Sequence, residues 1–300
     1  MTRIYILLFI VMASWGFNVA ALATLVREID PMTMTAFRVM TAGVMVLILS
    51  KFMGIFRLPT KDEWKTILLI SLFSVVLHHT FMAIGLTKTT GVNAGIILGA
   101  APLVTMVLSM IFMKNHVSNL RILGFIAGFV GIIFTSLAGV GGISAISIGD
   151  GYVFLCMVAQ AISFILIGKL NPTFDPRLLT GYILISGSLI IFILGMLVEQ
   201  DIAQLGKLFS PKLGSIFLFS SIIATAVGHM IYNYAVKNVG PAETTIFVNL
   251  NTMFALIGSA LFLGEPILRD HFIGLGLIVV GVFAGSGTME YLINKKRARN

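Results

Sequence analysis

Charge is what this sequence has least of. Only 11% of its 300 residues are charged, against 58% hydrophobic, and the mean hydropathy is +1.02. Soluble domains carry about a quarter charged residues, so an ordinary water-soluble enzyme or nucleic-acid-binding domain is excluded. Cysteine is nearly absent. The single Cys156 sits in an apolar run, which rules out a disulfide framework and a multi-cysteine metal centre. Catalytic signatures are missing too: there is no H-E-x-x-H, no Walker-type loop and no G-x-G-D, since "SIGDG" (147–151) has Ser147 in place of the first glycine. The polar loops are too short to hold a nucleotide-binding domain, which excludes ATP-driven work by this chain alone. No cofactor, metal or catalytic residue is therefore expected.

Apolar stretches are present in abundance. Runs of about twenty residues recur along the whole chain, each long enough to cross a hydrocarbon core of ~30 Å. Spans fit at about 4–25, 31–50, 65–87, 91–113, 119–138, 150–169, 177–198, 212–236, 241–263 and 270–292. The start, "MTRIYILLFIVMASWGF", lacks a clean small-residue cleavage pattern and reads as the first span, not a secretory leader. With the N-terminus in the cytoplasm, fourteen Lys and Arg residues fall on inside segments. Only Arg27, Lys88, Lys207, Lys212 and Arg269 fall outside. The positive-inside rule then puts both termini in the cytoplasm and demands an even number of spans, which ten satisfies.

The chain also repeats. "DPMTMTAFRVMTAGVMVLIL" (30–49) aligns with "DPRLLTGYILISGSLIIFIL" (175–194) at an offset of 145, matching Asp30, Pro31 and Thr35 with Asp175, Pro176 and Thr180. Further on the offset is 150, where Gly124 and Gly131 meet Gly274 and Gly281, the loop around 199–211 absorbing the difference. The halves are 1–145 and 146–300, with five spans each. Five is odd, so the second half enters the membrane from the opposite side. The expected fold is an all-α membrane protein of ten transmembrane helices in two inverted five-helix repeats, with a site near the midplane between them. Alternating access follows from such a plan.

Four short motifs in this order, "SWGFN" in the first span, the Asp-Pro start with Arg38 in the second, "GAAPLVT" in the fourth and "LGEP" (263–266), resemble the drug/metabolite transporter superfamily, in its ten-helix EamA-type branch. The resemblance covers essentially the whole chain. It implies a cell-membrane (inner-membrane) exporter or permease for small metabolites, often amino acids and related compounds. Two departures touch the symmetry of gating: Lys114-Asn115 stands where Gly-Glu is usual, and Thr252 where a proline like Pro102 is common.

Polar groups inside the spans are the site candidates. Arg38 lies about 10 Å into its span at 1.5 Å per residue. It either snorkels to the outer interface or lines a cavity, where it holds a substrate carboxylate or caps carbonyls of a neighbouring helix. His78 and His79 lie well inside the third span, and helical geometry lets only one of them face a given cavity. His229, their counterpart in the eighth span, shares a face with Tyr232 and Asn233 at i, i+3 and i+4. Trp15 and Asn18 offer an aromatic wall and a polar handle. Asn249 and Asn251 suit bonds across helices, while Asn93 and Gln160 are ambiguous. Glu243, at the start of the ninth span, is either dipole-favoured or a coupling site for protons or cations. Gly95, Gly99 and Pro102 form a candidate hinge. The glycines of spans five and ten make packing faces, buttressing each half or forming a homodimer seam.

The leading function is a secondary transporter or exporter of small organic metabolites, with a central cavity walled by spans 1, 3, 4, 6, 8 and 9. Its partners are a small-molecule substrate and the lipid bilayer, with no nucleic acid. No acid lies mid-membrane, which favours neutral or zwitterionic solutes over cationic drugs. The competing class is an intramembrane enzyme or lipid-handling protein using His78 or His79 with Glu243 as acid–base groups. It needs these groups at one depth, whereas the spans put them near opposite ends.

Overall fold

The computed structural model describes residues 2–113, 118–136, 147–168, 174–198, 201–240, 244 and 247–285. They form α1 (Thr2–Glu28), α2 (Pro31–Phe52), α3 (from Lys61 to Leu86), α4 (Gly91–Leu98, resuming as Ala101–Met113) and α5 (Asn119–Ser136). After these come α6 (Ile148–Gly168), α7 (Pro176–Val198), α8 (from Pro211 to Val239), α9 (Val248–Gly258, running on as Ser259–Leu263) and α10 (Arg269–Gly285). Seven of them, α1 to α4 and α6 to α8, are long and apolar enough to cross a membrane, while the apolar stretches 122–135 and 250–263 are shorter. Among the described residues there is no strand. The chain is a multi-pass membrane protein. Large apolar side chains such as Ile6, Phe9, Phe129, Leu197 and Phe262 stand exposed on its outer surface, as suits contact with lipid.

Local chemistry sets the helix starts. Pro31, Pro176 and Pro211 each open a helix, where the missing N–H costs nothing. Thr60 and Glu63 close a capping box at the start of α3, so that helix begins at Lys61, four residues before the start expected from hydropathy. Thr90 caps α4 by accepting from Asn93 N at 3.1 Å.

Packing runs pairwise between the halves. A Cβ on Gly43 of α2 would meet Ile185 of α7, and one on Gly195 of α7 would meet Met32, so the two helices run antiparallel. The Asp30 and Asp175 turns therefore lie at opposite ends of the molecule. The glycine faces of α5 and α10 also meet antiparallel, Gly131 against Gly274 and Gly281 against Gly124. Their backbones approach far closer than any larger residue allows. By contrast α1 and α9 run parallel, Tyr5 stacking on Phe247 and Phe9 meeting Phe254 edge to face. The α3 helix lies antiparallel to α6, with Gly85 against Val153 and Phe81 against Tyr152.

Polar contacts gather at the two ends. At one end Glu265, from "LGEP", accepts from Val92 N at 2.9 Å at the start of α4 and pairs with Arg27 at 3.3 Å. His271 Nε2 meets Asn93 Oδ1 at 3.0 Å, while Asp150 accepts from Thr89 and Lys207 donates to the Glu28 carbonyl. The 3-10 helix Ile202–Phe209 occupies part of the expected long loop and docks there, with Gln204 accepting from Asp30 N at 3.1 Å. At the other end Arg57 binds both carboxylate oxygens of Glu63 and sits 4.6 Å over the Phe174 ring, and Tyr182 donates to the Arg57 carbonyl.

Candidate functional site

Three helices depart from regular α-geometry inside the bilayer. Leu72–Leu77 in α3, Phe219–Val227 in α8 and Ser259–Leu263 in α9 are widened, π-helical turns. Such turns often mark functional sites because they release carbonyls and shift side-chain register. The first ends directly before His78-His79 and the second before Gly228-His229. Hydropathy gives no sign of them, since a widened turn changes hydrogen bonding and not composition.

His78, His79, Thr225 and His229, within or just after the first two of these turns, line a cavity of about 90 Å³ between the helices. Its polar lining comprises Asn18, His78, His79, Gln160, Thr225, His229 and Asn251, set among Trp15, Phe164 and aliphatic groups. The lining comes from α1, α3, α4, α6, α8 and α9, three helices from each half. Trp15 forms one wall. Its indole donates to the Ala224 carbonyl at 2.7 Å, a group in the widened turn of α8, and its ring stands 4.8 Å from His229 and 4.9 Å from Tyr232.

One ring nitrogen from each of His78, His79 and His229 lies within 4.8 Å of the other two. Both members of the histidine pair border the cavity, where helical geometry led us to expect one. The imidazoles reach it from adjacent positions because they pack edge to face, centroids 4.7 Å apart, at the exit of a widened turn. Each ring is held by its Nδ1. His78 Nδ1 lies 3.2 Å from the Cys156 carbonyl, and His229 Nδ1 lies 3.1 Å from the Thr225 carbonyl.

Arg38 does not snorkel. It is 1% exposed, donates to Thr225 Oγ1 and stands 3.2 Å from His79 Nδ1. It lies behind the cavity wall, not on it, and joins α2 to α3 and α8. Tyr232 is likewise fully buried behind Trp15, against Phe164. Asn233 turns away to donate to Thr180 Oγ1 of α7 at 2.9 Å. Of the face predicted on α8, then, only His229 meets the cavity.

Asn249 lies in α9, but its side chain is outside the described residues, as is all of Glu243. Gly95 and Gly99 pack on Ala255 and Thr252 of α9. The α4 helix is interrupted at Gly99-Ala100, two residues before Pro102, whereas α9 is continuous past Thr252. Sequence reasoning missed Thr225, Met157 and Phe164 as lining residues and Glu265, His271 and Asp150 as end fasteners. A buried threonine or methionine carries no sequence signal in an apolar helix, whereas the glutamate of "LGEP" had one in its motif.

The profile described as "EamA-like transporter family" matches this chain twice, over residues 2–137 and 147–286. An uncharacterized transporter of Bacillus subtilis (strain 168), YyaM, is 25% identical over 294 residues, covering 96% of this chain and 95% of that protein. An uncharacterized transporter of Archaeoglobus fulgidus is 24% identical, covering 93% and 97%. A solved crystal structure shares the fold with a TM-score of 0.65 at 15% identity, covering 97% of this chain and 99% of that one. With residues 2–137 and 147–286 each matched by the family profile, the protein belongs to the EamA-like transporter family.

Proposed function

We propose that this protein is a secondary transporter of small organic metabolites, amino acids or related compounds, working by alternating access across the cell membrane. The observation that carries the reading is the composition of the cavity: three helices from each half supply its wall, and the polar groups of both halves point to one interior volume. A pocket built this way opens to either side when the halves rock about it.

The repeat supports the same reading. The family profile matches each half once. The pairs α2 with α7 and α5 with α10, each a helix and its counterpart, meet antiparallel, as helices related by a two-fold axis in the membrane plane must. The widened turns before His79 and His229 fall at corresponding places, 150 residues apart. Residues 1–145 and 146–300 are then two inverted five-helix repeats, with both termini in the cytoplasm. The break at Gly99-Ala100 serves as the hinge of one half, without an equal among the described residues of α9.

The test is flux in proteoliposomes across a panel of radiolabelled amino acids and metabolites, with and without a pH gradient. Saturable counterflow for at least one solute is expected, reduced at least tenfold in His229→Ala at unchanged protein yield. Absence of saturable flux for every member of the panel removes the transport reading. Normal flux in His229→Ala removes this cavity as its path.

A further inference from the structure

The three-histidine cluster invites a metal, but its hydrogen-bond partners point elsewhere. A guanidinium can only donate, so the Nδ1 of His79 facing Arg38 at 3.2 Å is the accepting nitrogen. A neutral imidazole has one lone pair. With that pair engaged, His79 Nε2 carries the proton and cannot ligate a cation.

His229 is the other way round. Its Nδ1 faces the Thr225 carbonyl oxygen, which only accepts, so Nδ1 carries the proton and Nε2 keeps the lone pair. His78 Nδ1 faces both the Cys156 carbonyl at 3.2 Å and the Cys156 thiol at 3.1 Å, an acceptor and a donor. With His79 unable to ligate and a permanent cation beside it, the cluster is a poor metal site.

Two atoms in it lack partners. His79 Nε2 is buried without a hydrogen bond, although its residue borders the cavity, and Arg38 Nε is buried without one as well. No carboxylate pairs with Arg38 among the described residues; its contacts are a hydroxyl and an imidazole. A buried charge without a counter-charge is costly, and an ionisable group inside the bilayer calls for a named partner.

We infer that the partner is the substrate: the Arg38–His79 pair is an anion-recognition relay, and the cavity takes a ligand bearing a carboxylate-type group. The charge of Arg38 polarises the imidazole through Nδ1, and His79 Nε2–H donates to the anion. Thr225 fixes the geometry, since its hydroxyl accepts from Arg38 and donates to the Ser220 carbonyl at 2.7 Å, the carbonyl five residues back. The Nε2 lone pair of His229 receives an N–H or O–H donor from the same ligand. Trp15 and Phe164 close on its apolar part.

This inference rests on the transporter reading and narrows it, and its test is a binding measurement independent of flux. The chain has two tryptophans, and Trp15 borders the cavity while Trp64 does not, so full-length protein carrying Trp64→Phe reports on the cavity alone. Propionate, propionamide and propylammonium, similar in size and different in charge, are titrated at constant chloride. A saturable change in Trp15 fluorescence is expected with propionate, at an affinity at least about tenfold above the other two, the scale of a charge-assisted hydrogen bond. In Arg38→Met the preference for propionate over propionamide falls to about one, and Arg38→Lys restores part of it. A merely structural arginine would not change that ratio selectively.

If Arg38→Met does not fold, the three-probe comparison on the Trp64→Phe protein decides alone. Equal binding of the probes, preference for propylammonium, or no saturable response to propionate overturns the relay. In each of those cases saturable flux of a neutral solute in vesicles would leave the transporter reading standing.

Discussion

Two alanine substitutions on one helix separate packing from helix propensity. Gly281 and Gly276 both lie in α10. A Cβ on Gly281 would sit 2.6 Å from the Gly124 carbonyl oxygen and 2.7 Å and 2.9 Å from Gly128 N and Cα. All three atoms are backbone of α5, which no rotamer change can move. Ordinary contact begins near 3.4 Å, so α5 and α10 must part by about 0.8 Å along this seam. Overpacking of this kind costs about 1–3 kcal/mol, against which alanine recovers roughly 0.5–1 kcal/mol of helix propensity. The expected net loss for Gly281→Ala is about 1–2 kcal/mol. At Gly276 a Cβ meets nothing within 4 Å, so only the propensity gain of about 0.5–1 kcal/mol remains. The two variants should thus differ by roughly 2 kcal/mol in reversible unfolding in mixed detergent–lipid micelles. Since neither helix borders the cavity, flux per folded molecule should be unchanged in both. Equal stabilities would refute the close approach of α5 and α10, and with it the antiparallel seam between these two helices.

The remaining predictions address the site, the ends and the topology. Trp15→Phe removes the 2.7 Å bond to the Ala224 carbonyl and leaves that oxygen in the widened turn without this donor, so a loss of about 1–3 kcal/mol in unfolding and reduced flux are expected. Glu265→Ala removes the acceptor for Val92 N and the exposed pair with Arg27, and melting should show a loss of about 1 kcal/mol, nearly all from the cap. Burial works to raise the Asp175 carboxyl, but hydrogen bonds from the Arg177 side chain and backbone outweigh it and hold it below the usual carboxylate range. Its contribution to stability is therefore complete above about pH 4 and lost as pH falls further, so an Asp175→Asn protein should match the parent's acid melting only at the lowest pH. Finally, single cysteines in the Asp30 and Asp175 turns, with the native thiol at Cys156 buried, should react with membrane-impermeant reagent from opposite sides of the membrane. Labelling from one side would end the inverted arrangement.

Much of this was legible before any tertiary structure. Hydropathy alone identified a multi-pass helical protein, because in lipid every backbone polar group must be satisfied within its own segment and long apolar runs leave helices as the solution. Asp-Pro at 30–31 and 175–176 marked two helix starts, since a proline at the first helical position needs no partner for its missing N–H. Repeated motifs and an odd half-count led to the inverted arrangement that the labelling experiment tests. What the sequence left open at Arg38, solvent-ward or inward, was open for a reason: the length of the side chain permits both, and only the positions of Thr225 and His79 on other helices decide. The histidine pair is the converse case. A regular helix allows one of two neighbours into a cavity, and the structure has both there, at the exit of a π-turn whose hydrogen bonding leaves no trace in composition.

The sequence by itself determined that the chain enters lipid repeatedly as apolar helices and that two of them begin at the Asp-Pro pairs, because these follow from local transfer energies and backbone chemistry. Which buried polar groups meet was decided only in three dimensions. Arg38, His79 and Thr225 stand on three helices, with 187 residues between Arg38 and Thr225. Their meeting depends on helix packing and on two widened turns, and no local pattern encodes either.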